Sequence, residues 1–153
     1  MKWKIGLPPP QRNNLIAIDL EMFGLSRPRL HRPDGELALA AFADGNCVYV
    51  VDSIQDLRKA YANVRNNVLA FHNAMFDVSH LRRWVNFPPR SGYNIWDTML
   101  VERVLWNGYY DEFSLADCVR RELGIQMSKE ERKEFKGQRV PITKDMMEYN
   151  KIL

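Results

Sequence analysis

The stretch Leu15-Ile16-Ala17-Ile18-Asp19-Leu20-Glu21 decides how the chain is read. Its first four residues form a continuous apolar run of the kind that fills a strand buried on both faces. Two carboxylates follow, Asp19 and Glu21, and residues i and i+2 of a strand share a face. The spacing therefore sets two like charges side by side at the carboxyl end of a central strand. Adjacent carboxylates repel and raise each other's pKa unless a cation stands between them. Hard divalent ions such as Mg²⁺ and Mn²⁺ take oxygen ligands and fill that role. Asp-x-Glu alone is a weak motif, so the remainder of the chain has to carry the argument.

Working outward, Glu36 to Phe42 and Cys47 to Val51 read as two strands joined by the hairpin turn Asp44-Gly45-Asn46. Ser53 reads as an N-cap, followed by Ile54, Leu57, Tyr61 and Val64 at helical spacing. Val68 to Phe71 is the next strand, and a helix from about Ala74 to Val85 is closed by Phe87-Pro88-Pro89. Asn94-Ile95-Trp96 is a short strand leading into a helix from Asp97 to about Leu105. Ser114 opens a further helix with the apolar stripe Leu115, Val119 and Leu123, and Gly124 suits its end. Pro141 and Thr143 open a last one. Residues 1–14, with Pro8-Pro9-Pro10, read as a lead-in arm to a single domain spanning 15–153. The order predicts an α/β fold on a mixed sheet.

Composition excludes several classes. The chain has 153 residues, 46% hydrophobic and 27% charged, as expected of one globular domain rather than a disordered or fibrous chain. No apolar run approaches the ~18 residues of a membrane span, so no membrane partner is expected. Cys47 and Cys118 lack metal or disulfide spacing, and an intracellular, cytoplasmic setting is the expectation. A net charge of +3 permits an anionic partner without requiring one. Arg27, Arg29, His31 and Arg32 cluster in one stretch, and 129–139 is rich in both signs.

His72-Asn73-Ala74-Met75-Phe76-Asp77 follows a buried strand and starts a helix, with Asp77 in the first turn, where the macrodipole favours an anion. Asp97-Thr98 reads as an ordinary N-cap without chemistry. Taken together, Ile16-Ala17-Ile18-Asp19-Leu20-Glu21 with Gly24-Leu25, and His72-Asn73-x-x-Phe76-Asp77, resemble the first two motifs of the DEDD superfamily of 3′→5′ exonucleases. Asp97-Thr98-Met99-Leu100 and Ser114-Leu115-Ala116-Asp117 are similar to segments of the proofreading domain of A-family DNA polymerases and of RNase D-like enzymes. The segment from Ile142-Thr143 to Tyr149 resembles the start of the third motif, in its tyrosine form.

That resemblance implies an RNase H-like fold with a five-stranded mixed sheet flanked by helices. It also implies hydrolysis of the terminal phosphodiester by two metal ions, Mg²⁺ or Mn²⁺, acting on attacking and leaving oxygens. By analogy Asp19 bridges both ions, Glu21 holds the one that activates water, and Asp77 serves the second, partly through water. Tyr149 orients the attacking water, since an ordinary phenol near pKa 10 is a poor base at neutral pH. Leu25 wedges against the terminal base, Phe76 helps build that pocket, Gly24 allows close backbone approach and Asn73 reaches the sugar or phosphate. The implied substrate is a single-stranded DNA 3′ end, with RNA the second class, and the implied context is proofreading in DNA replication beside a polymerase domain.

Two departures qualify the match. The family places a fourth metal-binding aspartate four residues after the tyrosine, which here is Leu153, and Asp145 stands one turn on the wrong side of Tyr149. The helical pattern stops there, as expected of a piece cut from a longer chain, and slow hydrolysis is expected. Met22-Phe23 stands where small polar residues are usual. The competing reading is a non-catalytic nucleic-acid-binding or partner-docking module on the same fold.

Overall fold

The computed structural model describes residues 2–12, 14–23, 35–87 and 94–127, with Trp3 described by its backbone only. Six strands form one sheet: β1 (Lys2–Ile5), β2 (Leu15–Phe23), β3 (Glu36–Ala43), β4 (Cys47–Val51), β5 (Val68–Phe71) and β6 (Ile95–Asp97), in the order β1-β4-β3-β2-β5-β6. The β2–β5, β5–β6 and β1–β4 pairs are parallel, whereas β3 runs antiparallel to both its neighbours. The mixed α/β sheet is as expected, with one strand more than the five anticipated.

The additional strand comes from residues read as part of the arm. Lys2-Trp3-Lys4-Ile5 has the period-two alternation of an edge strand, and it pairs with 47–50 of β4. Lys2 and Lys4 are exposed, and lysine on an outer strand discourages edge-to-edge association. Beyond it the arm is pinned rather than loose. Asn63 Nδ2 donates to the Pro8 carbonyl at 2.8 Å. Buried Asn67 accepts from the Asn14 N–H at 2.9 Å and donates to the Gln11 and Val64 carbonyls at 3.0 and 2.8 Å.

Local signals account for most element ends. In the β3–β4 turn, Asp44 Oδ1 accepts the N–H groups of Asn46 and Cys47 at 2.9 and 2.8 Å, and Gly45 takes φ +86°. Helix α1 (Ile54–Val64) is capped by the Ser53 hydroxyl, which accepts the Asp56 N–H at 3.1 Å. Helix α2 (Ala74–Trp84) ends one residue earlier than expected, because Val85 is extended. Helix α3 (Thr98–Trp106) follows β6 directly, and α4 (Leu115–Leu123) runs from its Ser114 cap to Gly124 at φ +68°.

The sheet carries an apolar cluster on each face. On one, Ile16, Ile18, Leu20 and Met22 of β2 pack with Leu57, Ala60, Tyr61 and Val64 of α1 and Leu81 of α2. On the other, Ala17 and Phe23 gather with Ala38, Leu39, Ala41, Ala43, Val48 and Val50. Met22 and Phe23, the atypical pair, are thus buried one in each cluster. Among the described residues no helix is long and apolar enough to cross a membrane.

Among the described residues the buried Tyr61 hydroxyl has no hydrogen-bond partner, and burial pushes its pKa up to about 12. Its ring packs against Phe87 at a centroid distance of 5.7 Å. Tyr61→Phe keeps that packing and removes the unmet hydroxyl, so urea unfolding is expected to show unchanged stability or a gain of about 1 kcal/mol. A clear loss would mean that the hydroxyl has a partner after all.

Candidate active site

The carboxylates sit toward the carboxyl end of β2, as expected, and the strand runs on to Phe23. Asp19 pairs in register with Ala41 and Glu21 with Leu39 of β3, and the register shifts between Glu21 and Met22. Pairing with β3 carries the strand through residues of poor strand propensity, which is how tertiary context overrides it. Asp19 is half-buried and Glu21 buried. Alternation places both on the side of the sheet opposite Leu20.

The partner strand on the other flank is shorter. β5 pairs with β2 only at Leu15, Ile16 and Ala17, then turns into α2. Past that point no strand among the described residues pairs with β2 on this side, and a side chain supplies an acceptor there. Asp77, in the first turn of α2 and 2% exposed, accepts the Leu20 N–H through Oδ1 at 3.0 Å. Leu20 lies between Asp19 and Glu21, so the bond brings the third acidic residue to the other two. Burial first, then the charges of Asp19 and Glu21, push the Asp77 carboxyl well above the ordinary carboxylate range, against the lowering effect of the Leu20 N–H.

Here the structure brings Asp19, Glu21 and Asp77 to one place, just past the last β2–β5 pair at the carboxyl ends of parallel strands, the side on which open α/β sheets commonly bind ligands. Among the described residues no three His, Cys, Asp or Glu side chains form a ready-made chelating group. The donor set is nevertheless the one hard cations prefer, and a divalent ion there would offset the repulsion that adds to burial in raising Asp77.

Asn73, expected at the substrate, is exposed and left-handed at φ +70°, ψ +59°, a conformation Asn tolerates better than most residues. Phe76 faces away from solvent in part, packed against the first apolar cluster and edge-on to His80 at 4.8 Å. Gly24, Leu25, Asp145, Tyr149 and Leu153 lie outside the described residues, as do the basic clusters of 27–32 and 129–139.

Sequence reasoning missed two neighbours of the site. His72 bridges Thr98 Oγ1 through Nδ1 at 2.9 Å and donates from Nε2 to the Phe113 carbonyl at 3.0 Å, joining β5 to α3 and the segment before α4. Asp97 caps α3, as its position indicated, accepting Met99 and Leu100 N–H groups at 3.0 and 3.3 Å. It also accepts the N–H groups of Asn73 and Ala74 at 3.2 and 2.8 Å. The N-cap was legible, but nothing local signals a bond to residues more than 20 positions away.

With this geometry in place, comparison with known proteins is decisive at the family level. Residues 10–151 match the 3′-5′ exonuclease family. The chain belongs to that family. No curated protein sequence matched it closely enough to count as a relative. Among solved structures, NrnC of Brucella melitensis superposes with a TM-score of 0.71 at 20% identity, covering 97% of this chain and 73% of that one. The Nibbler EXO domain of Aedes aegypti gives 0.67 at 20% identity, covering 90% and 71%. Escherichia coli RNase D, an exoribonuclease involved in structured RNA processing, gives 0.66 at 18% identity, covering 97% and 40%. NrnC is also known with bound Mg²⁺ and bound to pGG. The fold is that of the RNase H-like exonucleases.

Two outcomes follow for this exonuclease-family domain. Asp77→Asn keeps an acceptor for the Leu20 N–H and removes a buried charge. Because the folded-state pKa of Asp77 is raised, its ionisation weakens the fold as pH rises through that value, and the penalty is absent below the ordinary Asp range. Without metal the variant is therefore expected to melt higher than the parent at pH 7, with the gap closing in acid, and added Mg²⁺ should raise the parent's midpoint only. Asn73→Gly fits the left-handed backbone, so thermal melting should be unchanged while KM for a 3′-ended oligonucleotide rises. Equal KM values would remove Asn73 from the binding surface.

Proposed function

We propose that this domain is a metal-dependent 3′→5′ exonuclease that hydrolyses the terminal phosphodiester of a single-stranded nucleic acid, DNA by the motif resemblance. The observation that carries the reading is the convergence of Asp19, Glu21 and Asp77 around one backbone amide, with the charges of the first two raising the pKa of the third. Family membership supplies the reaction class.

Asp19, Glu21 and Asp77 would hold the divalent ions. Asp77 commits Oδ1 to Leu20, so it would serve a cation through Oδ2 or a water. Bound divalent ions supply Lewis-acid stabilisation of an in-line displacement and lower the pKa of a bound water. Exposed Asn73 would contact the terminal nucleotide, with Gly24, Leu25 and Phe76 at its base and Tyr149 aligning water. Leu153 stands at the position matching the family's fourth metal-binding aspartate, so turnover is expected to be slow. Metal dependence, rather than speed, is then the diagnostic readout. Proofreading beside a polymerase domain is the finer expectation from the same motifs. RNA is the second substrate class, favoured by what RNase D acts on and by the NrnC complex with pGG.

The test incubates 5′-labelled DNA and RNA single strands with the full chain and Mg²⁺ or Mn²⁺. Stepwise shortening from the 3′ end is expected, abolished by chelation. Asp19→Ala is expected to lower the rate on the order of a thousandfold, since the ions contribute several kcal/mol to the transition state. Salt-sensitive binding without cleavage under any metal would instead support the docking-module reading. Relative rates on the two strands assign the sugar.

A further inference from the structure

Asp97 makes more bonds than a helix cap requires. Helix α2 starts without a side-chain cap of its own: Asn73 occupies the N-cap position but makes no capping bond. Its first N–H groups are instead satisfied from another element. Oδ2 of Asp97 accepts the Ala74 N–H at 2.8 Å, and Oδ1 accepts the Asn73 N–H at 3.2 Å. The same carboxylate caps α3 through Met99 and Leu100. One anion thus sits at two helix N-termini, where the macrodipoles favour it. In register, Asp97 stands beside Phe71, the last residue of β5 before the turn into α2.

Helix α3 gives the carboxylate a fixed base. None of its residues is buried, and Leu100 and Val104 remain exposed, so packing alone does not place it. Its start is held by hydrogen bonds. The Thr98 hydroxyl donates to the Phe71 carbonyl at 3.0 Å, and His72 meets that hydroxyl at 2.9 Å. The end of β6, the end of β5 and the starts of α2 and α3 are thereby tied at one point.

Asp77 follows Ala74 by three residues, one turn along α2. We infer that Asp97 is a positioning residue for the reaction: by capping α2 from outside, it sets where Asp77 stands relative to Asp19 and Glu21, and so sets affinity for the divalent cation. The inference rests on the reading of those three carboxylates as the metal site. Asp97 touches neither metal nor substrate, and its effect passes through the Asn73–Ala74 backbone.

The test separates its two caps. Serine is a good N-cap, so Asp97→Ser retains a cap for α3, but its hydroxyl is too short to reach α2 as well. Mg²⁺ and Mn²⁺ titrations of the full chain are read by calorimetry and by metal-induced thermal stabilisation, alongside cleavage. The expected result is a 10- to 100-fold rise in the half-saturating metal concentration, the usual range for groups that orient ligands, with a metal-free melting point a few degrees below the parent's and kcat recovering at saturating metal. Unchanged half-saturation in Asp97→Ser, with a normal metal response in the parent, overturns the positioning role alone. No metal response in the parent overturns the metal-site reading and this inference with it. If Asp97→Ser does not fold, Asp97→Asn serves. It keeps one acceptor oxygen but sets an amide N–H₂ against the Ala74 N–H. A smaller rise in the same direction is then expected, and its absence counts equally against the role.

Discussion

The backbone N–H of Leu20 is the point on which the site depends. β2 runs six residues beyond its last pairing with β5, at Ala17, and on that flank its amides need another acceptor. A buried N–H without one costs about 1–3 kcal/mol. Asp77 answers that need from the first turn of α2. The bond is charge-assisted and so stronger than a neutral one, but it draws a buried carboxylate toward two others. A single contact therefore satisfies the Leu20 N–H and concentrates negative charge, and the raised Asp77 pKa reflects its burial and the two neighbouring charges.

Much of this was legible because the signals were local. Ser53, Ser114, Gly124 and the Asp44-Gly45-Asn46 turn each act on neighbours a few residues away, and each ends or begins an element where expected. The family's motifs led to Asp19, Glu21 and Asp77 for a similar reason: each sits at a fixed offset from a strand or helix end. What escaped was set by partners distant in sequence. Lys2 to Ile5 form a strand because β4 offers a free edge, and the proline run behind them made the whole stretch resemble an arm. β2 runs past its acidic residues to Phe23 because β3 pairs with Met22 and Phe23. The second role of Asp97 arises only when β6 lies beside β5.

Met22 and Phe23 show the same division from the packing side. Read against small polar residues at those positions, they suggest altered contacts to a nucleotide. In the structure the shift in register after Glu21 is followed by burial of one residue in each apolar cluster. That anchors the end of β2 just beyond the carboxylates, on both faces of the sheet. A pair that departs from the motif thus acts as a packing device, and its cost falls on the local surface rather than on the acidic residues.

The two flanks of β2 are held very unequally, and this determines which part of the site can adjust. On the β3 side the register is unbroken from Ala17 to Glu21, through both carboxylates, and pairing resumes after a shift at Met22 and Phe23. A ladder of that length moves as a unit, so the two strand carboxylates share one rigid support. On the other side Asp77 is joined to β2 by the Leu20 bond, and α2 is held at its start by Asp97 and further along by Leu81 in the core. A small rotation of α2 about Leu81 would move Asp77 while leaving the ladder undisturbed. Where Asp77 stands relative to the ladder depends on the Leu20 bond and on how the start of α2 is held. Fixing that start from a separate strand ties the place of Asp77 to the β5–β6 pairing as well as to β2.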